Sequence, residues 1–190
     1  MVISRDKFTS VVFLIELSTQ CDLFLRSYDR LNVASEHWRN IDRGVDDGVK
    51  FSPLEILAES TICLSAMSSV NRLLFSKATS QSKERSSSLL SLLDDISLKF
   101  INSKNVRNSW EHNDERMDKE LSQTNGYMSV SHIHVSVKPP KENTCVLKRF
   151  DPVDLSINFL SDKIQLKLCF NEIQLIKIKI DEAFTKLNKH

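Results

Sequence analysis

The chain has 190 residues, with 26 Lys and Arg against 25 Asp and Glu, a net charge of +1. That length fits one domain, or one domain with a small appendage, and 41% hydrophobic against 27% charged residues is enough to bury a core. Only three glycines occur, Gly44, Gly48 and Gly126. They are too scattered for a dinucleotide fingerprint or a Walker loop, which need clustered glycines to bring backbone N–H groups onto phosphate. The near-neutral balance gives no bulk basic signal for nucleic acid, so any such contact must come from a local patch.

Four cysteines, Cys21, Cys63, Cys145 and Cys169, lie far apart and form no C-x-x-C pair, which argues against a zinc ribbon or a thioredoxin motif. Residues 11–15 form an apolar run, but Glu16 interrupts it and no small-residue cleavage site follows, so it reads as part of an amphipathic helix and not a signal peptide. No stretch approaches the roughly 20 consecutive apolar residues of a membrane span. The expectation is a soluble, cytoplasmic protein with reduced thiols and no membrane partner.

In chain order, residues 5–33 predict a helix, with Phe8, Val12, Ile15, Leu17, Cys21, Phe24, Tyr28 and Leu31 at helical spacings. Residues 34–52 carry two glycines and dense charge and predict a loop. Ser52-Pro53 opens a second helix, with Ser as N-cap and Pro in the first turn, running to about Phe75. Its small residues, Ala58, Ser65, Ala66, Ser68 and Ser69, allow close helix–helix approach. Residues 76–88 are a Ser-rich linker merging into a third helix whose buried face is Leu89, Leu93, Ile96 and Phe100. After a break at Asn102-Ser103, a fourth helix spans about 104–123, closed by Asn125-Gly126.

Beyond Gly126 the period changes to two. Ile133, Val135 and Val137 alternate, then Leu155, Ile157 and Phe159, then Ile164, Leu166 and Leu168, which predicts half-buried strands with a hairpin turn at Ser161-Asp162. Ile173, Ile176, Ile180, Phe184 and Leu187 return to helical spacing in a last helix. The fold class expected is mainly α, an up-down helical bundle over residues 1–125 with an extension over 126–190 of a small β-hairpin or sheet and a final helix, packed on the bundle.

The segment richest in chemistry opens the fourth helix. Wound at about 100° per residue, Val106, Trp110, Met117 and Leu121 fall within an arc of about 60°, a stripe suited to a core. Arg107, Asn108, Glu111 and His112 lie on a separate polar arc of about 140°, with Asn108 and His112 as i, i+4 neighbours. Arg107-Asn108-Ser109-Trp110-Glu111-His112 has the form R-N-x-x-x-H and resembles the R-x4-6-H motif of HEPN-domain ribonucleases. Asn71-Arg72 near the end of the second helix, and Glu111-His112-Asn113-Asp114-Glu115-Arg116, are similar to features of that superfamily. The resemblance covers about residues 5–123; the strands and last helix fall outside the minimal domain.

This resemblance implies a HEPN-like bundle that cleaves RNA without a cofactor or metal, as a homodimer bringing two motifs into one cleft, with a toxin or antiphage-defence role and an antitoxin or defence-system partner protein. It makes Arg107 and His112 catalytic, with Asn108 and Glu111 supporting. Those residue types suit the chemistry. His titrates near neutral pH and serves as acid or base, and the Arg fork matches phosphate oxygens. The alternatives are a non-catalytic HEPN-like dimerisation and interaction module, or an ordinary solvated face in which Arg107, Glu111, Glu115 and Lys119 are charges at helical spacing. Weaker candidates are His132 and His134, which share a strand face without a third metal ligand; His37-Trp38-Arg39, read as loop; and a basic side of the last helix, Lys177, Lys179, Lys186 and Lys189, read as solvated.

Overall fold

The computed structural model describes residues 5–102, 113–123, 129–141, 144–160 and 162–188. Helix α1, Arg5–Asp42, has 38 residues and so extends about 57 Å at 1.5 Å per residue. Leu14, Leu17, Cys21, Phe24, Tyr28 and Leu31 recur every three or four positions along it and are all buried. The helix does not stop at residue 33 as the sequence suggests. Ala34, Ser35 and His37 continue the buried side, Glu36 and Arg39 pair at 2.5 Å on the outside, and no breaker intervenes until Gly44, whose φ of 74° ends the helix. The opening residues also depart from expectation. Phe8 is 59% exposed, and Val12 and Ile15 are exposed with it, because they occupy the face opposite Leu14, Leu17 and Cys21. By length and composition alone, α1 is apolar enough to cross a membrane, although Glu16 and Asp22 interrupt its apolar half.

Helix α2, Pro53–Phe75, starts where Ser52 predicts. The Ser52 Oγ accepts the Glu55 N–H at 3.1 Å and the Glu55 carboxylate accepts the Ser52 N–H at 2.7 Å, a reciprocal capping box. Of its small residues, Ala66 and Ser68 are buried whereas Ala58 and Ser65 face solvent. Cys63 Sγ reaches the Phe24 carbonyl at 3.8 Å, which marks how close α2 comes to α1.

Helix α3, Ser80–Leu92, begins inside the expected linker. Thr79 and Ser82 exchange side-chain and backbone hydrogen bonds at 2.9 and 3.1 Å, so a capping box sits within the serine run. The helix ends early because Asp94 and Asp95 take φ of 57° and 48°. Leu89 and Leu93 are buried as expected, but Ile96 and Phe100 pack on the core from irregular chain and not from a helix. Helix α4, Asn113–Gln123, is the described part of the expected fourth helix; its first nine residues and the Asn125-Gly126 cap lie outside the described residues.

Four strands follow, β1 Ser129–Val135, β2 Thr144–Asp151, β3 Ser156–Phe159 and β4 Asp162–Gln165, in sheet order β1-β2-β3-β4. The β1–β2 pair is parallel and the other two antiparallel. Strand β2 was not expected, since Thr-Cys-Val-Leu-Lys-Arg-Phe-Asp has no clean alternation; it is a strand because it has a partner on both sides. Val137 and Leu155 fall just outside β1 and β3. The β3–β4 hairpin turns through Leu160, φ 51°, with Asp162 already paired to Phe159. Leu166 does not extend β4 but opens helix α5, Leu166–Asn188, which buries Ile173, Ile176 and Ile180 as its spacing predicts. Tyr28 of α1 stacks on Phe170 of α5 with ring centroids 4.4 Å apart. The architecture is mainly helical, with a small four-stranded sheet and a C-terminal helix.

Phe24 is fully buried, so Phe24→Ala is expected to lower stability by about 3–5 kcal/mol, whereas Phe8→Ser is expected to stay within about 0.5 kcal/mol of wild type. Urea unfolding with an unchanged m-value measures both.

Candidate functional site

Arg107, Asn108, Glu111 and His112 lie outside the described residues, as do Val106 and Trp110 of the apolar stripe. Met117 on α4 is half-buried, and Glu115 and Lys119 face solvent. What the structure places is the chain on either side. Before the segment, Lys99, Phe100 and Ile101 present consecutive backbone N–H groups to the Glu172 carboxylate on α5, at 2.6 to 3.1 Å. Such a row of N–H groups forms a concavity for an anion. Asn71 on α2 closes the same turn by donating to the Ile101 carbonyl at 2.7 Å, while its neighbour Arg72 bonds Ser68 and Ser69. After the segment, Arg116 on α4 forms an ion pair with Asp162 on β4.

A second polar arrangement escaped the sequence reading. His37 lies on α1, not in a loop, and is 8% exposed. Its Nδ1 meets Asp47 Oδ1 at 2.7 Å, its ring packs edge-on against Trp38 and tilted against Phe51, and Asn40 donates to the other Asp47 oxygen at 3.0 Å. Asp46 and Asp47 accept the backbone N–H groups of Gly48 and Val49, the local Asx turns that favour Asp at such positions. The arrangement fixes the imidazole and pins the loop after α1. Among the described residues no hydroxyl or thiol donates to the His37 ring. The signal was His37 ten residues before Asp47, readable only once α1 is known to reach Asp42.

Other groups carry less chemistry. Burial pushes the Cys21 and Cys169 thiols up to about 12, and Cys63 higher still, which removes the thiolate that nucleophilic chemistry requires. His134 lies 3.2 Å from the Lys138 carbonyl, and the His132 side chain lies outside the described residues. Among the described residues no group of three His, Cys, Asp or Glu side chains converges as metal ligands do. On the basic side of α5, Lys177 pairs with Asp22 of α1, and Lys179 and Lys186 both pair with Asp94; Lys189 lies outside the described residues. A cleft of about 370 Å³ between α1 and α3 is lined by Phe13, Glu84, Arg85 and Ser88, with Arg85 5.3 Å above the Phe13 ring. Comparison with family models, with curated proteins and with solved structures gives no match for this chain.

Hydrogen bonds from Asn40 and then His37 hold the Asp47 carboxyl down to about 2, from an ordinary 3.8. A depressed carboxyl stabilises the fold fully above its unfolded value and loses that contribution as pH falls through the folded one. Asp47→Asn is therefore expected to be less stable than wild type at neutral pH, with the difference shrinking between pH 3.8 and 2. Denaturant titrations of both proteins across that window check the sign.

Proposed function

We propose that this protein is a metal-independent endoribonuclease of the HEPN type, cytoplasmic, acting as a homodimer on RNA and serving as a toxin or antiphage-defence effector held by a partner protein. The observation that carries the proposal is the R-N-x-x-x-H spacing of Arg107, Asn108 and His112. Its place in the chain supports it, since the motif directly precedes the described part of α4, Asn113–Gln123, and among the described residues α1, α2 and α3 come before it.

In this reading His112 of one protomer takes the proton from a ribose 2′-OH. The freed oxygen attacks the adjacent phosphorus, and the bond from phosphorus to the 5′ oxygen breaks. The second His112, from the partner protomer, protonates that departing oxygen. One motif supplies one titratable imidazole, which is the chemical reason for a two-fold dimer. Arg107 remains cationic throughout and its fork stabilises charge developing on the phosphate oxygens. Asn108 orients the neighbouring His112, and Glu111 positions Arg107.

A second reading, a non-catalytic interaction module, is favoured by the exposed apolar side chains of Phe8, Val12 and Ile15 on α1. Cleavage of a mixed RNA substrate separates the two. The ribonuclease reading predicts activity that persists in EDTA, falls about 10²- to 10⁴-fold in His112→Ala, and is poorly restored by Arg107→Lys, because a point charge does not reproduce the guanidinium fork. Equal activity in wild type, Arg107→Ala and His112→Ala, or none in any of them, leaves the interaction module.

A further inference from the structure

The minimal helical domain implied by the motif ends before the strands, so the sheet and α5 need a role of their own. Two contacts from this extension fall on either side of the Arg107–His112 motif. Upstream, Glu172 of α5 collects the backbone N–H groups of Lys99, Phe100 and Ile101, each oxygen accepting two hydrogen bonds between 2.6 and 3.1 Å. The same helix grips the start of that irregular segment through Asp94, which lies 3.0 Å from Lys179 and 2.7 Å from Lys186. Downstream, Asp162 of β4 pairs with Arg116 of α4. Ile101 is six residues before Arg107, and Arg116 is four residues after His112.

We infer that the C-terminal extension is a positioning clamp for the site, with Glu172 and Asp162 fixing where the chain enters and leaves the motif. The inference rests on the ribonuclease reading. Its physical basis is the rigidity of the Glu172 contact. Three successive N–H groups converging on one carboxylate leave that stretch of backbone little freedom, because an ionised acceptor holds N–H donors more strongly than a neutral one. With Ile101 also held through its carbonyl by Asn71, both polar groups of that residue are tied, one to α5 and one to α2. Catalytic groups must be held within about 0.5 Å of productive geometry, and a segment leaving an irregular turn has no regular helix before it to supply that precision. Neither Glu172 nor Asp162 is a catalytic residue; Glu172 acts through the backbone it holds and Asp162 through the Arg116 side chain.

Glu172→Gln tests this sharply. It keeps the side-chain size but replaces one acceptor oxygen with an NH₂ group that faces N–H donors. The full chain is used, with amide hydrogen exchange at Lys99–Ile101 and steady-state RNA cleavage measured together, and Asp162→Asn as an independent second variant. The expected result for Glu172→Gln is exchange at least tenfold faster at residues 99–101 and within twofold of wild type in the buried turns of α1 and α2. Its kcat is expected to fall at least tenfold, with KM within threefold. Asp162→Asn is expected to lower kcat in the same way without changing exchange at 99–101. Unchanged exchange at 99–101 in Glu172→Gln, or faster exchange with kcat retained in both variants, overturns the clamp. Exchange rising throughout α1 and α2 in both variants also overturns it, since the carboxylates would then serve the whole fold. A wild type that cleaves no RNA rejects the ribonuclease reading and the clamp with it, whereas an active wild type matched by both variants rejects the clamp alone.

Discussion

One stripe on α1 organises the molecule. Leu14, Leu17, Cys21, Phe24, Tyr28 and Leu31 form a continuous buried seam on which both α2 and α5 close. Phe24 meets α2 through its carbonyl and Cys63, and Tyr28 stacks on Phe170 of α5. The polar contacts around the seam follow from that packing. Arg30 reaches Glu59 at 2.5 Å, and Lys177 reaches Asp22 and Ser18 at 2.8 and 2.9 Å. Partly exposed pairs of this kind contribute about 0–1 kcal/mol each, whereas a buried aromatic ring contributes several times more. The seam sets the arrangement and the ion pairs fix the register of helices already placed.

The seam reaches residues 99–101 through α5. A helix held against α1 by Phe170, Ile173 and Ile176 presents Glu172 on its flank, and that carboxylate orders a turn more than seventy residues earlier in the chain. The sheet is similarly indirect. It is joined to α1 where Ser35 donates to the Pro152 carbonyl, and it carries Asp162 to α4. Long-range order at residues 99–101 and 116 thus derives from packing of the chain's last third on its first helix.

Much of this fold was legible because its signals were local. Ser52 and Pro53 announce a helix start in two consecutive residues, and Ile173, Ile176 and Ile180 define the buried face of α5 by spacing alone. What was not legible depended on context. Phe8, Val12 and Ile15 have the same period as the core residues, and spacing does not say which of two apolar faces meets a partner. The end of α1 was placed too early because charged residues at 36–43 read as loop, although they line the outer side of a helix whose inner side is Ala34, Ser35 and His37. Strand β2 lacks alternation because Lys148 stands on the same face as Phe150 and is held there by neighbours on both edges; burial lowers its ammonium pKa accordingly. The motif residues Arg107 and His112 were legible as a pattern, while Glu172 was not, because a carboxylate capping a distant turn leaves no trace in local sequence.

In the proposed reaction RNA supplies its own nucleophile, the 2′-OH, with Arg107 and His112 handling charge and proton. End-group analysis of the cleavage products tests it most directly. The expected products carry a 2′,3′-cyclic phosphate on one fragment and a 5′-OH on the other, with a 2′-O-methyl group at the scissile nucleotide blocking the cut. Products bearing a 3′-OH and a 5′-phosphate, or cleavage undiminished by the methyl group, would show water as the attacking species and contradict it.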